Sequence, residues 1–143
     1  MARKINAAGL ALVKEFEGCE LTAYRCAAGV LTIGYGSTGS HVREGMTITK
    51  EEAEALLRKD LRRFENGVEA LMGPATDNQF SACVSLAFNI GLGAFAGSTV
   101  LKRHRLGNKI GAANAFLMWN KSRGNILKGL MRRREAERKL YMS

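Results

Sequence analysis

The spacing of apolar positions divides the chain into helical stretches and one region of different texture. Leu10, Val13 and Phe16 recur at helical spacing behind Asn6, a residue type suited to capping, which predicts a helix from about Asn6 to Phe16 with Gly18 as its stop. From Leu21 to about Val42 the period shortens. Leu31, Ile33 and Tyr35 alternate with smaller or polar residues, and Gly29, Gly34, Gly36 and Gly39 punctuate them, as in a short, twisted β-hairpin region. Thr49 and Glu52 form a capping box that opens a helix to roughly Leu71, with Leu56, Leu57, Leu61, Phe64 and Val68 as its apolar stripe. Gly73-Pro74 closes that element. Asp77 is expected to cap the next helix, which carries Phe80, Cys83, Val84, Ala87 and Phe88 and is apolar enough to form the centre of the core. A loop of Gly91, Gly93 and Gly97 follows. Ser98 caps a short helix, Asn108 another that ends near Trp119, and a last helix runs from about Leu127 to Tyr141.

This order predicts an α+β fold in a single domain over 1–143. It has a small N-terminal β-lobe at about 18–48, a connecting helix at about 50–71, and a larger all-helical C-terminal lobe at about 74–143 that takes in the N-terminal helix. A chain of 143 residues with 46% hydrophobic and 24% charged residues can bury a core, which excludes a disordered tail. One proline and sixteen glycines without a triplet period exclude a collagen-like chain. The most apolar stretch, Ala82 to Gly97, is broken by Ser85, Asn89, Gly91 and Gly93 and falls short of the ~20 residues a spanning helix needs. No charged-then-apolar leader opens the chain, so it is expected to stay where it is made. Cys19, Cys26 and Cys83 are odd in number and lack a CxxC pair, which supports neither a zinc site nor a disulfide framework and fits a reducing compartment. His41 and His104 are isolated and are expected at the surface. No metal and no cofactor is implied.

Charge changes the picture more than composition does. The net charge is +9, and from Lys102 onward twelve cations face only Glu135 and Glu137, so this segment alone carries +10. Such a one-sided basic face suits an anionic polymer, a lipid surface or a cell wall, or serves only as a solvated face.

Candidate chemistry centres on Glu17, which sits where the first helix ends and the glycine-rich hairpin begins, just after Phe16. A carboxyl group beside apolar surface is disfavoured in its charged form, which suits a general acid. From its position alone, Glu17 fits an ordinary ion pair with an arginine as well. Cys26 and Thr32 project from the hairpin; singly, they read as a small filler and as β-propensity. Together with Glu17 they form an acid plus two small hydrogen-bonding groups able to hold a water opposite it, as inverting glycosidic cleavage requires.

Glu17, eight residues, Cys26, five residues, then Thr32 resembles the catalytic spacing of the phage-type lysozymes, the endolysins of glycoside hydrolase family 24 grouped with the lysozyme of T-even phages. The blocks Gly9-Leu-x-Leu-Val-Lys-x-Phe-Glu17-Gly, Ala23-Tyr24 and Leu31-Thr-Ile-Gly-Tyr-Gly36 are similar too. The likeness continues through Gln79-Phe80, Ala87-Phe-Asn-Ile-Gly91, Gly93-Ala-Phe95, Ser98-Thr99, Gly111 to Phe116, Trp119 and Gly129 to Arg138, and so covers nearly the whole chain. The resemblance implies a lysozyme-like fold and a muramidase that hydrolyses the β-1,4 bond between N-acetylmuramic acid and N-acetylglucosamine. Glu17 would be the general acid and Thr32 would position the attacking water. Cys26 stands where family members carry Asp or Cys. With an ordinary thiol pKa of about 8.5 it either has a lowered value or merely orients the water, and as a thiolate it would be a point of oxidative inactivation. Phe88 and Asn89 would face the sugar chain, Ser98 and Asn114 fall near substrate-contact positions, and one of Arg132, Arg133 and Arg134 would pair with Glu17. Phe88 and Trp119 are equally expected as core residues. The chain departs from the family in having Ser37 where many members carry His. It also shows no N-terminal signal-anchor, so a membrane lesion, such as one made by a holin, is expected to give it access to the wall.

The implied partners are peptidoglycan and, through the basic C-terminal helix, the anionic envelope. That basic tail could also disrupt lipid directly. The protein is expected to be a monomer. A lytic transglycosylase needs only one acid/base glutamate and is the nearest alternative, although Thr32 favours water. A basic nucleic-acid-binding module has the charge after Leu101 in its favour, but no helix-turn-helix, zinc pattern or aromatic stacking strip. An inactive wall-binding relative would lack the acid that Glu17 supplies.

Overall fold

Asn6 opens the first helix: its Oδ1 accepts the Gly9 N–H at 2.9 Å, and α1 runs Ala7–Glu17. The computed structural model describes residues 2–143 and has the α+β class read from the sequence. By its internal packing the chain forms two units, residues 14–62 and a larger one of residues 63–143 with the N-terminal segment up to Val13.

The smaller unit holds the sheet. Strands β1 (Glu20–Arg25), β2 (Leu31–Gly34) and β3 (Ser37–Thr38) are antiparallel in that order. Tyr24 pairs with Thr32 and Arg25 with Leu31, and a bulge intervenes before Glu20 meets Gly34. The other edge of β1 is held by the segment leading to the next helix. Ala23 N–H donates to Met46 O at 2.8 Å, and Ile48 N–H to Leu21 O at 2.9 Å. Beneath the sheet Ile33, Val42, Ile48 and Ala53 are buried, with Tyr35, Met46 and Leu56 packed against them. Removing these side chains from water is what fixes the short strands, since a three-stranded sheet needs such a backing to be stable. Helix α2 (Lys50–Met72) starts at the expected box: Glu52 N–H donates to Thr49 Oγ1 at 3.1 Å, and the Glu52 carboxylate accepts the Thr49 N–H at 3.2 Å.

In the larger unit α3 (Asp77–Ile90) is the core helix, with every residue from Gln79 to Ala87 buried. Its cap is Thr76 and not Asp77. The Thr76 hydroxyl accepts the Gln79 N–H at 3.0 Å, and the Gln79 carboxamide oxygen accepts the Thr76 N–H at 3.0 Å. Asp77 is the first helical residue and pairs with Arg3 at 2.8 Å. The glycine-rich stretch taken for a loop contains a helix, α4 (Leu92–Ala96), bounded by Gly91 and Gly97, with Phe95 fully buried. Ser98 and Asn108 cap α5 (Thr99–Arg105) and α6 (Lys109–Ala115) as expected. A 3-10 turn follows at Phe116–Met118. The C-terminal portion is not all helical: β4 (Lys121–Ser122) and β5 (Asn125–Ile126) make a two-stranded hairpin, with Arg123 (φ 52°) and Gly124 (φ 83°) in its turn. Helix α7 (Lys128–Met142) then packs along α3, and Phe116 and Tyr141 bury their rings 5.6 Å apart.

Beside α3 lies a buried ionic cluster. Glu137 is fully buried between Arg134 Nε at 2.9 Å and Arg133 Nε at 3.3 Å, and it accepts the Ser85 hydroxyl at 2.5 Å. Two charges of the basic C-terminal run therefore point inward. His104 corrects the surface expectation as well: it is half-buried, with Nδ1 2.7 Å from the Tyr141 hydroxyl and Nε2 2.9 Å from Pro74 O. His41 is exposed, as expected, and bonds Ser37 Oγ through Nε2 at 2.9 Å.

Candidate active site

Glu17 is the last residue of α1. The helix stops because Gly18 takes φ 71°, a left-handed conformation that favours glycine, while its N–H still closes on Lys14 O at 3.1 Å. The last turn of α1 is pinned by an ion pair of Lys14 with Glu54 of α2, whose carboxylate also meets Arg58 at 3.2 Å. These two cations hold the Glu54 carboxyl below its ordinary pKa, Lys14 first. Tyr35, half-buried beside this pair, has its phenol pKa raised mainly by burial. Glu17 is half-buried. A Cβ placed on Gly36 would stand 3.6 Å from its Oε1, so the bare backbone of Gly36 forms one wall beside the carboxylate.

Cys26 lies one residue beyond β1, in the tight turn that leads to β2. Its N–H donates to Val30 O at 3.0 Å, and its own carbonyl accepts the Gly29 N–H at 2.8 Å. The turn folds backbone donors onto the sulfur. Hydrogen bonds from Val30 and Ala28, with a smaller one from the Thr32 side chain, lower the thiol pKa against a partial desolvation that opposes them. Donors aimed at the ionised form favour it. Thr32 is buried on β2, and its hydroxyl also reaches Val30 O at 2.9 Å. A hydroxyl has one proton, so when Thr32 donates to that carbonyl its lone pairs are left to accept a hydrogen bond, and when it donates to the sulfur it stabilises a thiolate. Cys26 and Thr32 meet at one acceptor, the Val30 carbonyl, which takes the Cys26 N–H and the Thr32 hydroxyl, and Glu17 belongs to the same unit.

An open depression of about 390 Å³ is lined by Glu17, Gly18, Cys19, Glu20 and Tyr24. Tyr24 is 42% exposed. An exposed aromatic on a strand, two residues before Cys26, is the sequence signal that points to this position.

The four substrate-contact candidates lie in the other unit. Phe88 is half-buried with its ring edge-on to Phe64, 5.1 Å between centroids. Asn89 is exposed, and its Oδ1 accepts a hydrogen bond from Arg134 Nη2 at 2.7 Å. Ser98 is buried, and its hydroxyl is engaged at the start of α5, donating to Phe95 O at 2.7 Å and accepting the Leu101 N–H at 3.2 Å. Asn114 is exposed and accepts from Arg138 Nε at 3.0 Å. Of the three adjacent arginines, Arg132 is exposed while Arg133 and Arg134 are held by Glu137.

A family model described as phage lysozyme matches residues 14–137. The chain belongs to the phage lysozyme family. Membership makes it a glycoside hydrolase of the lysozyme type. Among curated relatives, the endolysin of Bacillus phage B103 is 46% identical over 142 residues, covering 97% of this chain and 54% of its own length. The chain thus spans about half of that relative. The endolysin of Salmonella phage P22 is 43% identical, with 98% of this chain and 99% of its own covered. Among solved structures, the muramidase domain of SpmX from Asticaccaulis excentricus is 42% identical, with 99% of each chain covered and a TM-score of 0.91.

Proposed function

We propose that this phage lysozyme is a muramidase that hydrolyses the β-1,4 bond between N-acetylmuramic acid and N-acetylglucosamine in bacterial peptidoglycan, lysing the host for phage release. Glu17 is the general acid: its carboxyl proton passes to the glycosidic oxygen as the bond to muramic acid C1 breaks. Thr32 holds the attacking water, and Cys26 receives or directs the proton that this water loses as its oxygen bonds to C1 from the opposite face. The observation that carries this reading is the convergence of Cys26 and Thr32 on the Val30 carbonyl of the β1–β2 turn, at 3.0 and 2.9 Å, in a turn whose backbone lowers the thiol pKa. A thiolate has the charge an Asp would supply, and a carboxylate is therefore not required there. Tyr24 offers an exposed ring beside Glu17 for a sugar face. By the resemblance to the family, Phe88, Asn89 and Asn114 are further sugar contacts, while Ser98 acts through the start of α5 that it caps.

The enzyme works as a monomer and reaches the wall after a membrane lesion such as a holin makes. Among the described residues no helix is long and apolar enough to cross a membrane.

Mass spectrometry of fragments released from purified peptidoglycan tests the reading, with Glu17→Gln in parallel. Fragments ending in hydrated, reducing N-acetylmuramic acid are expected, and none from the variant. Fragments ending in 1,6-anhydro-muramic acid would instead establish a transglycosylase and remove the water from the mechanism.

A further inference from the structure

The basic charge of the C-terminal third is unevenly disposed. Between Asp77 and Glu135 the chain has no carboxylate side chain. Arg133 and Arg134 point inward onto Glu137, and Arg138 is bound to Asn114. By contrast Lys102, Arg105 and Lys109 are exposed, and their side chains make no ion pair or hydrogen bond among the described residues. They surround the sharp corner between α5 and α6. At that corner stand Leu106, 74% exposed, and Ile110, 66% exposed, the two most exposed large apolar side chains among the described residues. Arg105 lies on the rim of two depressions that flank the corner. One, of about 730 Å³, runs from Leu71 and Pro74 to Lys109, and the other, of about 380 Å³, is lined by Leu101, Lys102 and Leu106.

We propose that this corner is a docking surface for an anionic phospholipid membrane, with Leu106 and Ile110 entering the apolar layer and Lys102, Arg105 and Lys109 meeting the headgroup phosphates. The charge selects an anion, and the apolar pair selects which kind. A hydrated polyanion such as a wall polymer or nucleic acid gives Leu106 and Ile110 no apolar phase to enter, so it leaves their exposure unrelieved. A second copy of the chain in a two-fold pair would set the three cations against themselves. A bilayer of anionic lipid satisfies both features at one place, as interfacial basic and apolar surfaces do. The proposal is independent of which bond the active site cuts.

The test is co-sedimentation with vesicles of phosphatidylcholine alone or of an equimolar mixture with phosphatidylglycerol. It uses the wild type, Leu106→Ser with Ile110→Ser, and Lys102→Gln with Arg105→Gln and Lys109→Gln. Both variants change exposed positions, and thermal melts verify that they fold. The wild type is expected to bind only the anionic vesicles. The charge variant should bind roughly a hundredfold more weakly, at about fivefold per cation. The apolar variant should lose at least about tenfold, while both clear purified peptidoglycan as the wild type does. Undiminished binding by the apolar variant would overturn the proposal, as would equal binding to phosphatidylcholine or none to either vesicle. If the apolar variant kept its vesicle binding and immobilised polyphosphate retained it equally, the patch would belong to a soluble polyanion instead.

Discussion

Thr32→Val isolates the hydroxyl on which the proposed water depends. Valine keeps the branched shape at a position that is 5% exposed, so no cavity opens and the change is chiefly the loss of one hydrogen-bonding group. The Val30 carbonyl loses the Thr32 donor at 2.9 Å but keeps the Cys26 N–H at 3.0 Å, so no buried acceptor is orphaned. The stability cost is then that of one neutral hydrogen bond, ~1 kcal/mol, and the melting temperature should fall by only about 3 °C. Catalysis should suffer more. A water whose O–H grows more acidic as its oxygen bonds to C1 loses an acceptor worth ~1.5–3 kcal/mol, which is roughly a ten- to hundredfold loss of rate. Because that interaction strengthens only in the transition state, the loss should appear in kcat with KM nearly unchanged. The assay is initial-rate hydrolysis of soluble peptidoglycan fragments beside a thermal melt of each protein. A kcat within twofold of the wild type, with the small thermal shift present, would refute the reasoning: Thr32 would then be a strand residue with no part in holding the water.

Other perturbations test neighbouring steps. Gly36→Ala forces a side chain into φ 87° and sets a methyl 3.6 Å from Glu17 Oε1. It should cost ~1–2 kcal/mol of stability in denaturant titrations, and kcat should drop with it. Glu137→Leu leaves Arg133 and Arg134 buried without their carboxylate, so urea titration should show a loss of ~3–5 kcal/mol, and the melt should fall by about 10 °C or more. Cys26, whose thiol pKa is lowered by backbone donors, should be alkylated at lower pH than a free cysteine, as followed by peptide mapping, while fully buried Cys83, pushed upward by desolvation, stays unmodified. The sign follows from the depression: the ionised, hydrogen-bonded sulfur favours the fold above the unfolded thiol's value of about 8.5, and that contribution fades as pH falls through the lowered one. Alkylation of Cys26 only at or above the ordinary thiol pKa would contradict it.

Much of this fold was legible where local chemistry decides structure. Asn6, Thr49, Ser98 and Asn108 cap helices because their side chains reach backbone donors within three residues, which a sequence displays directly. The choice between Thr76 and Asp77 turned on Gln79, since only Thr76 stands three residues before a side chain able to complete the box. Helix α4 was hidden because glycines mark its ends and its middle, while burial of Phe95, a tertiary effect, holds it together. The β4–β5 hairpin is two residues per strand, too short for any alternation to register.

For the site, the spacing of Glu17, Cys26 and Thr32 pointed to chemistry. The donors that act on the sulfur come from the backbone of Ala28 and Val30, which side-chain identity does not reveal. The disposition of the basic run was hidden for a related reason. A linear count of cations cannot show that Arg133 and Arg134 turn inward to Glu137 while Lys102, Arg105 and Lys109 turn outward.

The measurement that bears most directly on the mechanism is proton NMR of the first-formed product from a defined muropeptide oligomer, before the reducing end mutarotates. Attack by a water held opposite Glu17 inverts the anomeric carbon, so the new reducing N-acetylmuramic acid should appear first as the α-anomer. A first product in the β-configuration would require a covalent intermediate or attack from the other face, and would contradict the roles assigned to Cys26 and Thr32.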